Sequence, residues 1–130
     1  MKTKYDIARN WLPRYTGTPL EKFGNYILLT NFYNYVESFA EKFNCDIEGL
    51  GRPMQTATNS DGLTIINFGI GSANAATIMD LLTAVTPGGV LFLGKCGGLK
   101  KSTELGHFIL PIAAIRGDGT SNDYIPPEVP

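Results

Sequence analysis

Leu63-Thr64-Ile65-Ile66-Asn67-Phe68-Gly69-Ile70-Gly71-Ser72-Ala73 decides the fold class. The apolar run Leu63 to Phe68 predicts a buried strand, and it stops at a Gly-x-Gly turn. From Ala73 to Val85 the period changes, with Ile78, Leu81, Leu82 and Val85 on one helical face. Ser72 or Asn74 is the candidate cap of that helix. Strand, glycine turn and helix in succession are the building unit of an α/β sheet.

Outward from this unit the pattern repeats. Upstream, Tyr26 to Thr30 reads as a buried strand, followed by a helix with Phe32, Tyr35, Val36, Phe39, Ala40 and Phe43 on its apolar face. Thr3 to Leu12 predicts a short helix with Ile7, Ala8 and Trp11 on one side and Pro13 at its end. Asp46 to Gly62 reads as irregular. Downstream, Pro87-Gly88-Gly89 turns the chain into Val90-Leu91-Phe92-Leu93, a strand with no polar residue, expected at the centre of the sheet. Phe108 to Ile115 reads as a fourth strand, demoted to an edge or bulge by Pro111. Arg116 to Pro130 reads as loop. The order predicts an α/β fold, a mostly parallel sheet with helices on its faces. One domain over residues 1–130 is expected, with residues 1–24 as an N-terminal helix and connector.

Composition narrows the function classes. Eleven Lys and Arg against twelve Asp and Glu lack the basic excess of a phosphate-gripping nucleic-acid binder. No run approaches the ~20 apolar residues of a membrane span, and Lys2, Lys4, Asp6, Arg9 and Asn10 break up any secretory signal. No membrane partner is expected. Two cysteines and one histidine support neither a disulfide scaffold nor a zinc set, so no metal or cofactor and a reducing, cytoplasmic setting are expected. Glycine is in excess: fifteen residues, ten of them between Gly69 and Gly119. Glycine serves where backbone must approach a ligand or take positive φ, which points to a site in the second half.

Ligands of open parallel sheets sit beyond the carboxyl ends of the strands. Three such ends carry unusual chemistry: Thr30-Asn31, Gly69-Ile70-Gly71-Ser72 and Gly94-Lys95-Cys96-Gly97-Gly98. The second is not a dinucleotide fingerprint, because Asn74 replaces the third glycine and no acidic residue follows at the required distance. The third imitates a P-loop, but a strand fills the loop positions and Cys96 replaces the Ser or Thr that would hold magnesium. Lys95, after an apolar strand and among glycines, suits an anion or a developing negative charge, or is simply structural. Cys96 reads as a small buried filler before a nucleophile, and His107 as a surface histidine. Asn31 and Tyr35, one turn apart, read as a cap and a core aromatic or as ligands. The polar loop Arg116 to Asp123 faces either substrate or solvent.

Taken together, four blocks resemble the AMP nucleosidases of the nucleoside phosphorylase superfamily. They are Thr30-Asn31 with Tyr35-Val36, Ile66 to Ala75, Leu93 to Leu99 and Arg116 to Glu128. The resemblance implies a three-layer α/β/α sandwich around a mixed, mostly parallel sheet. It implies cleavage of AMP to adenine and ribose 5-phosphate in a homo-oligomer, a hexamer in the family. It implies substrate-binding roles for Asn31, Tyr35, Gly71, Lys95, Cys96, Gly97 and Arg116. Phosphorylases of the superfamily hold phosphate with an arginine three residues before the position of Lys95, where this chain has Phe92. They also use an arginine after the first strand, where this chain has Asn31, Asn34 and Tyr35. Water as nucleophile is therefore expected, since a bidentate guanidinium clamp for phosphate is missing.

The family's acidic ribose-binding residue and purine-protonating aspartate lie in a second half, so this chain is expected to be the amino-terminal half, inactive alone on AMP. The catalytic residues are expected in that second half. The alternatives are a purine or uridine nucleoside phosphorylase, a methylthioadenosine-type nucleosidase, or a non-catalytic nucleotide-binding or assembly module.

Overall fold

A computed structural model describes residues 3–126 and 128–129, which form two compact units, Met1–Gly94 and Lys95–Pro130. The first unit is a five-stranded sheet with helices on both faces. Its elements are α1 (Lys4–Thr16), β1 (Tyr26–Thr30), α2 (Tyr33–Phe43), β2 (Ile47–Glu48), β3 (Gln55–Thr58), β4 (Leu63–Asn67), α3 (Ser72–Leu82) and β5 (Gly89–Leu93). A 3-10 turn, Leu20–Lys22, connects α1 to β1.

The sheet order is β2-β3-β4-β1-β5. β1 runs parallel to β4 on one side and to β5 on the other, whereas β3 is antiparallel to both β2 and β4. The sheet is thus mixed, as expected, with a parallel half and an antiparallel arm. Alternation along the strands sends side chains to two cores. On one face, Ile27 and Leu29 of β1 and Ile66 of β4 pack with Ala8 and Leu12 of α1 and Ile78, Leu81 and Leu82 of α3. On the other, Ala57 and Ile65 meet Val36, Phe39 and Ala40 of α2. Burying each such leucine or isoleucine contributes about 1.5–3 kcal/mol, which holds the helices against the sheet. Lys4 Nζ also pairs with Asp80 Oδ1 at 2.7 Å, tying α1 to α3.

Several boundaries differ from the sequence expectations. α1 does not stop at Pro13 but continues one turn to Thr16 and is closed by Gly17 in the left-handed region, whose N–H donates to the Pro13 carbonyl. Proline removes one donor, and a helix near its end tolerates that loss. Its buried stripe is Ala8, Leu12 and Thr16, while Ile7 and Trp11 are about half exposed. The stretch read as irregular contains β2 and β3. α3 ends at Leu82, earlier than Val85, and neither Ser72 nor Asn74 caps it: the cap position is Gly71, with no side-chain hydrogen bond. β5 is an edge strand among the described residues, where a central position was expected.

Among the described residues the second unit has one short regular element, a 3-10 turn at Thr120–Asp123. Phe108 to Ile115 forms no strand. A strand exists only in a ladder, and Pro111 supplies no donor for one.

Candidate functional site

The parallel half of the sheet sets up the first part of the site. Thr30 of β1 is in register with Asn67 of β4 and with Leu93 of β5, so three strands end level. Asn31 leaves β1 at this end, and the turn Phe68-Gly69-Ile70-Gly71 leaves β4 beside it. Thr30 holds both exits. Its carbonyl accepts from the Phe68 N–H at 3.1 Å, and its Oγ1 accepts from the Phe32 N–H at 3.2 Å.

The glycine turn is built from both flanks. Asn67 Oδ1 accepts the Gly69 N–H at 3.2 Å, and Asn74 Nδ2 donates to the Ile70 carbonyl at 3.1 Å. Gly71 has φ 105° and ψ 153°, a conformation essentially reserved for glycine, and it starts α3 with the Ala75 N–H on its carbonyl. The first-turn N–H groups of α3 therefore point out at an exposed end, an arrangement that suits an anion or a hydroxyl-rich ligand.

Asn31 and Tyr35 belong to the same end of the sheet. The cap residue of α2 is Phe32, with no side-chain hydrogen bond, so Asn31 does not cap the helix. Its Oδ1 is instead buried without a hydrogen-bond partner among the described residues, a costly state for a carboxamide oxygen. The Tyr35 ring stands edge-on to Phe32 at 5.5 Å and packs at the margin of the core under α2. Phe92 of β5 packs its ring 5.8 Å from that of Phe68.

The remaining expected residues lie in the second unit. Lys95, Cys96 and Gly97 are all exposed, so Cys96 is not the buried filler its size suggested. Cys96 lines a cavity of about 300 Å³ with Thr103, Glu104 and His107. His107 sits in a turn there, its Nδ1 accepting from the Glu104 N–H at 3.3 Å. Arg116 is partly buried, and its guanidinium donates to the carbonyls of Ile125 (2.9 Å), Pro126 (2.7 Å) and Val129 (2.8 Å). That fork closes the loop on itself, a role that composition alone did not reveal.

Sequence reasoning missed the pair Asn67 and Gln55, which underpins the glycine turn. An Asn two residues before a Gly is a turn signal that could have flagged Asn67. Another cavity of about 300 Å³, lined by Lys22, Cys45, Asp46, Glu48 and Thr58, lies at the opposite end of β3. There Lys22 pairs with Glu48 at 2.7 Å, and burial followed by the nearby Asp46 carboxylate pushes the Cys45 thiol up. Among the described residues no group of three His, Cys, Asp or Glu side chains could hold a metal, and no helix is long and apolar enough to cross a membrane.

Comparison with known proteins places this geometry. A crystal structure of AMP nucleosidase from Bacteroides thetaiotaomicron VPI-5482 superposes with a TM-score of 0.92 at 60% identity, over 98% of this chain and 56% of that one. AMP nucleosidase from Escherichia coli K12 is 28% identical over 99% of this chain and 34% of its own length. Guanosine phosphorylase from Halorubrum lacusprofundi is 35% identical over 52% of this chain and 28% of its own length. The chain thus spans about a third of the length of the Escherichia coli enzyme. Residues 22–130 match the Phosphorylase superfamily, and the chain belongs to that family.

Proposed function

We propose that this chain forms the purine-nucleotide-binding part of an AMP nucleosidase. Water adds to C1′ of the ribose, the C1′–N9 bond breaks, and the departing adenine takes a proton, leaving ribose 5-phosphate. The likeness to AMP nucleosidase at 60% identity over 98% of the chain carries this reading. Phe92 supports hydrolysis over phosphorolysis, because an aromatic ring packed on Phe68 offers no clamp for inorganic phosphate.

In this reading residues 1–130 act as one nucleoside phosphorylase-like domain. The first-turn donors after Gly71 and the orphaned Asn31 oxygen face the sugar, with Tyr35 beside them. Lys95, Cys96 and Gly97 are a substrate-binding segment of the second unit, and Arg116 closes its own loop there. Protonation of the base and the grip on the ribose hydroxyls fall to residues outside these. The two free cysteines suit a reducing cytoplasm, and the enzyme works as a homo-oligomer in purine nucleotide salvage.

Calorimetric titration of the purified chain with AMP, adenosine and uridine, alongside chromatography of AMP incubations with and without phosphate, tests the reading. AMP is expected to bind more tightly than either nucleoside, with no adenine released by the 130-residue chain. A preference for uridine, or the appearance of ribose 1,5-bisphosphate, overturns hydrolysis of AMP in favour of a phosphorylase. Adenine release would place the catalytic groups within this chain.

A further inference from the structure

We infer that Gln55 and Asn67 form a polar relay that positions the Gly69-x-Gly71 turn for its ligand, coupling the antiparallel arm of the sheet to the site. The inference rests on the sugar-phosphate reading given above. The two residues are direct cross-strand partners, Gln55 on β3 and Asn67 on β4. Gln55 Nε2 donates to the Arg52 carbonyl at 2.7 Å and to that of Gly49 at 3.5 Å. These two acceptors fix which way the Gln55 amide points. Its Oε1 must then face β4, where it accepts from Asn67 Nδ2 at 2.8 Å. With its nitrogen committed, Asn67 has only Oδ1 left for the turn, and that oxygen accepts the Gly69 N–H at 3.2 Å. Each amide is oriented by the one before it, so polarity runs without ambiguity from a loop carbonyl to the glycine turn.

The upstream end of the relay is itself anchored. The Met54 N–H donates to the Tyr15 carbonyl at 3.0 Å, and Arg52 Nη1 donates to the Arg14 carbonyl at 3.2 Å. Both acceptors belong to the last turn of α1. The Gly49–Arg52 loop is therefore held against a helix, and the turn that starts α3 inherits that anchor through two side chains. Phe68 is buried at the start of the turn, but Ile70 is exposed and Gly69 and Gly71 have no side chains, so packing does not fix the turn beyond Phe68. Gln55 and Asn67 are accordingly positioning residues: neither needs to touch the ligand.

Donor and acceptor reversal tests the relay. Asn67→Asp sets oxygen against oxygen at Gln55 while keeping an acceptor for Gly69. Gln55→Lys sets donor against donor at Asn67. The double variant restores the link, because a lysine donates both to the Arg52 carbonyl and to the new carboxylate. Each single variant is expected to weaken binding of ribose 5-phosphate and AMP about tenfold and to speed amide exchange at Gly69. The double variant is expected to recover most of both. A structural role alone lowers melting temperature without this reciprocal recovery of affinity.

Wild-type affinity in Asn67→Asp, or equal losses with no recovery in the double variant, overturns the relay. If Asn67→Asp does not fold, Asn67→Ser keeps an acceptor for Gly69 but cannot reach Gln55. Lost affinity there supports the relay, and unchanged affinity overturns it. A wild-type chain that binds neither ligand overturns the functional reading instead, and the relay then stands or falls on recovery of Gly69 exchange in the double variant.

Discussion

Gly71 shows how one residue sets the geometry of the site. Beyond its chain neighbours, no atom of the described residues lies within 4 Å of the place where its Cβ would stand, so a side chain meets no clash there. The demand for glycine comes wholly from φ 105°, a region that costs a residue with a side chain about 1–3 kcal/mol. Gly71→Ala is therefore expected to lower stability by that amount in urea denaturation, with an unchanged m-value. A loss below about 0.5 kcal/mol would mean that the turn relaxes, and the first-turn donors of α3 would then not be rigidly aimed. Gly49 contrasts with it. There a Cβ would run into the Thr16 and Met54 carbonyls, so the constraint is space as well as φ.

At the scale of elements, threonines take the place that leucines usually fill. Thr56 of β3 and Thr64 of β4 are fully buried, and their hydroxyls are used: Thr56 meets Thr18, and Thr64 meets Thr58 at 2.8 Å. Thr64 Oγ1 also accepts the Gly24 N–H at 2.8 Å, which pins the connector just before β1. Thr64→Val keeps the shape but strands that part-buried N–H and the Thr58 hydroxyl. A loss of about 1–3 kcal/mol is expected in denaturant melts, whereas a neutral outcome would show that water replaces the lost acceptor. The same chemistry explains what was legible in the sequence. β1, β4 and β5 are apolar runs bounded by turn formers, and α2 has a clear helical stripe, so each could be read directly. β3 reads Gln55-Thr56-Ala57-Thr58, a strand buried through hydrogen bonds between hydroxyls, which an apolar pattern does not register. Phe108 to Ile115 misleads in the other direction, since β-rich composition does not by itself supply a partner strand. Of the site, the glycine turn and Asn31 were legible as strand ends, while the Gln55–Asn67 link and the Arg116 fork depend on contacts across twelve and up to thirteen residues.

For the whole molecule, the distribution of apolar surface is the decisive property. The first unit has two packed cores, yet its edge strand β5 leaves Leu91 at 60% and Phe92 at 56% exposure. None of the described residues of the second unit is buried, and Leu99, Phe108, Ile112 and Ile115 are all at least 93% exposed. So many large apolar side chains left exposed are uncommon on a monomer and point to contact with other protein, while a bare strand edge offers a template for pairing. The chain is therefore expected to self-associate at micromolar concentration, with sedimentation velocity showing a dimer or larger species. Leu91→Lys places a charge on the outer strand without disturbing either core, since Leu91 belongs to neither. It should shift the sedimentation profile toward monomer while leaving the melting midpoint of the first unit within a few degrees. A wild-type chain that sediments as a monomer would show that these apolar side chains find cover within the chain itself, and the homo-oligomer proposed for the enzyme would then need another surface.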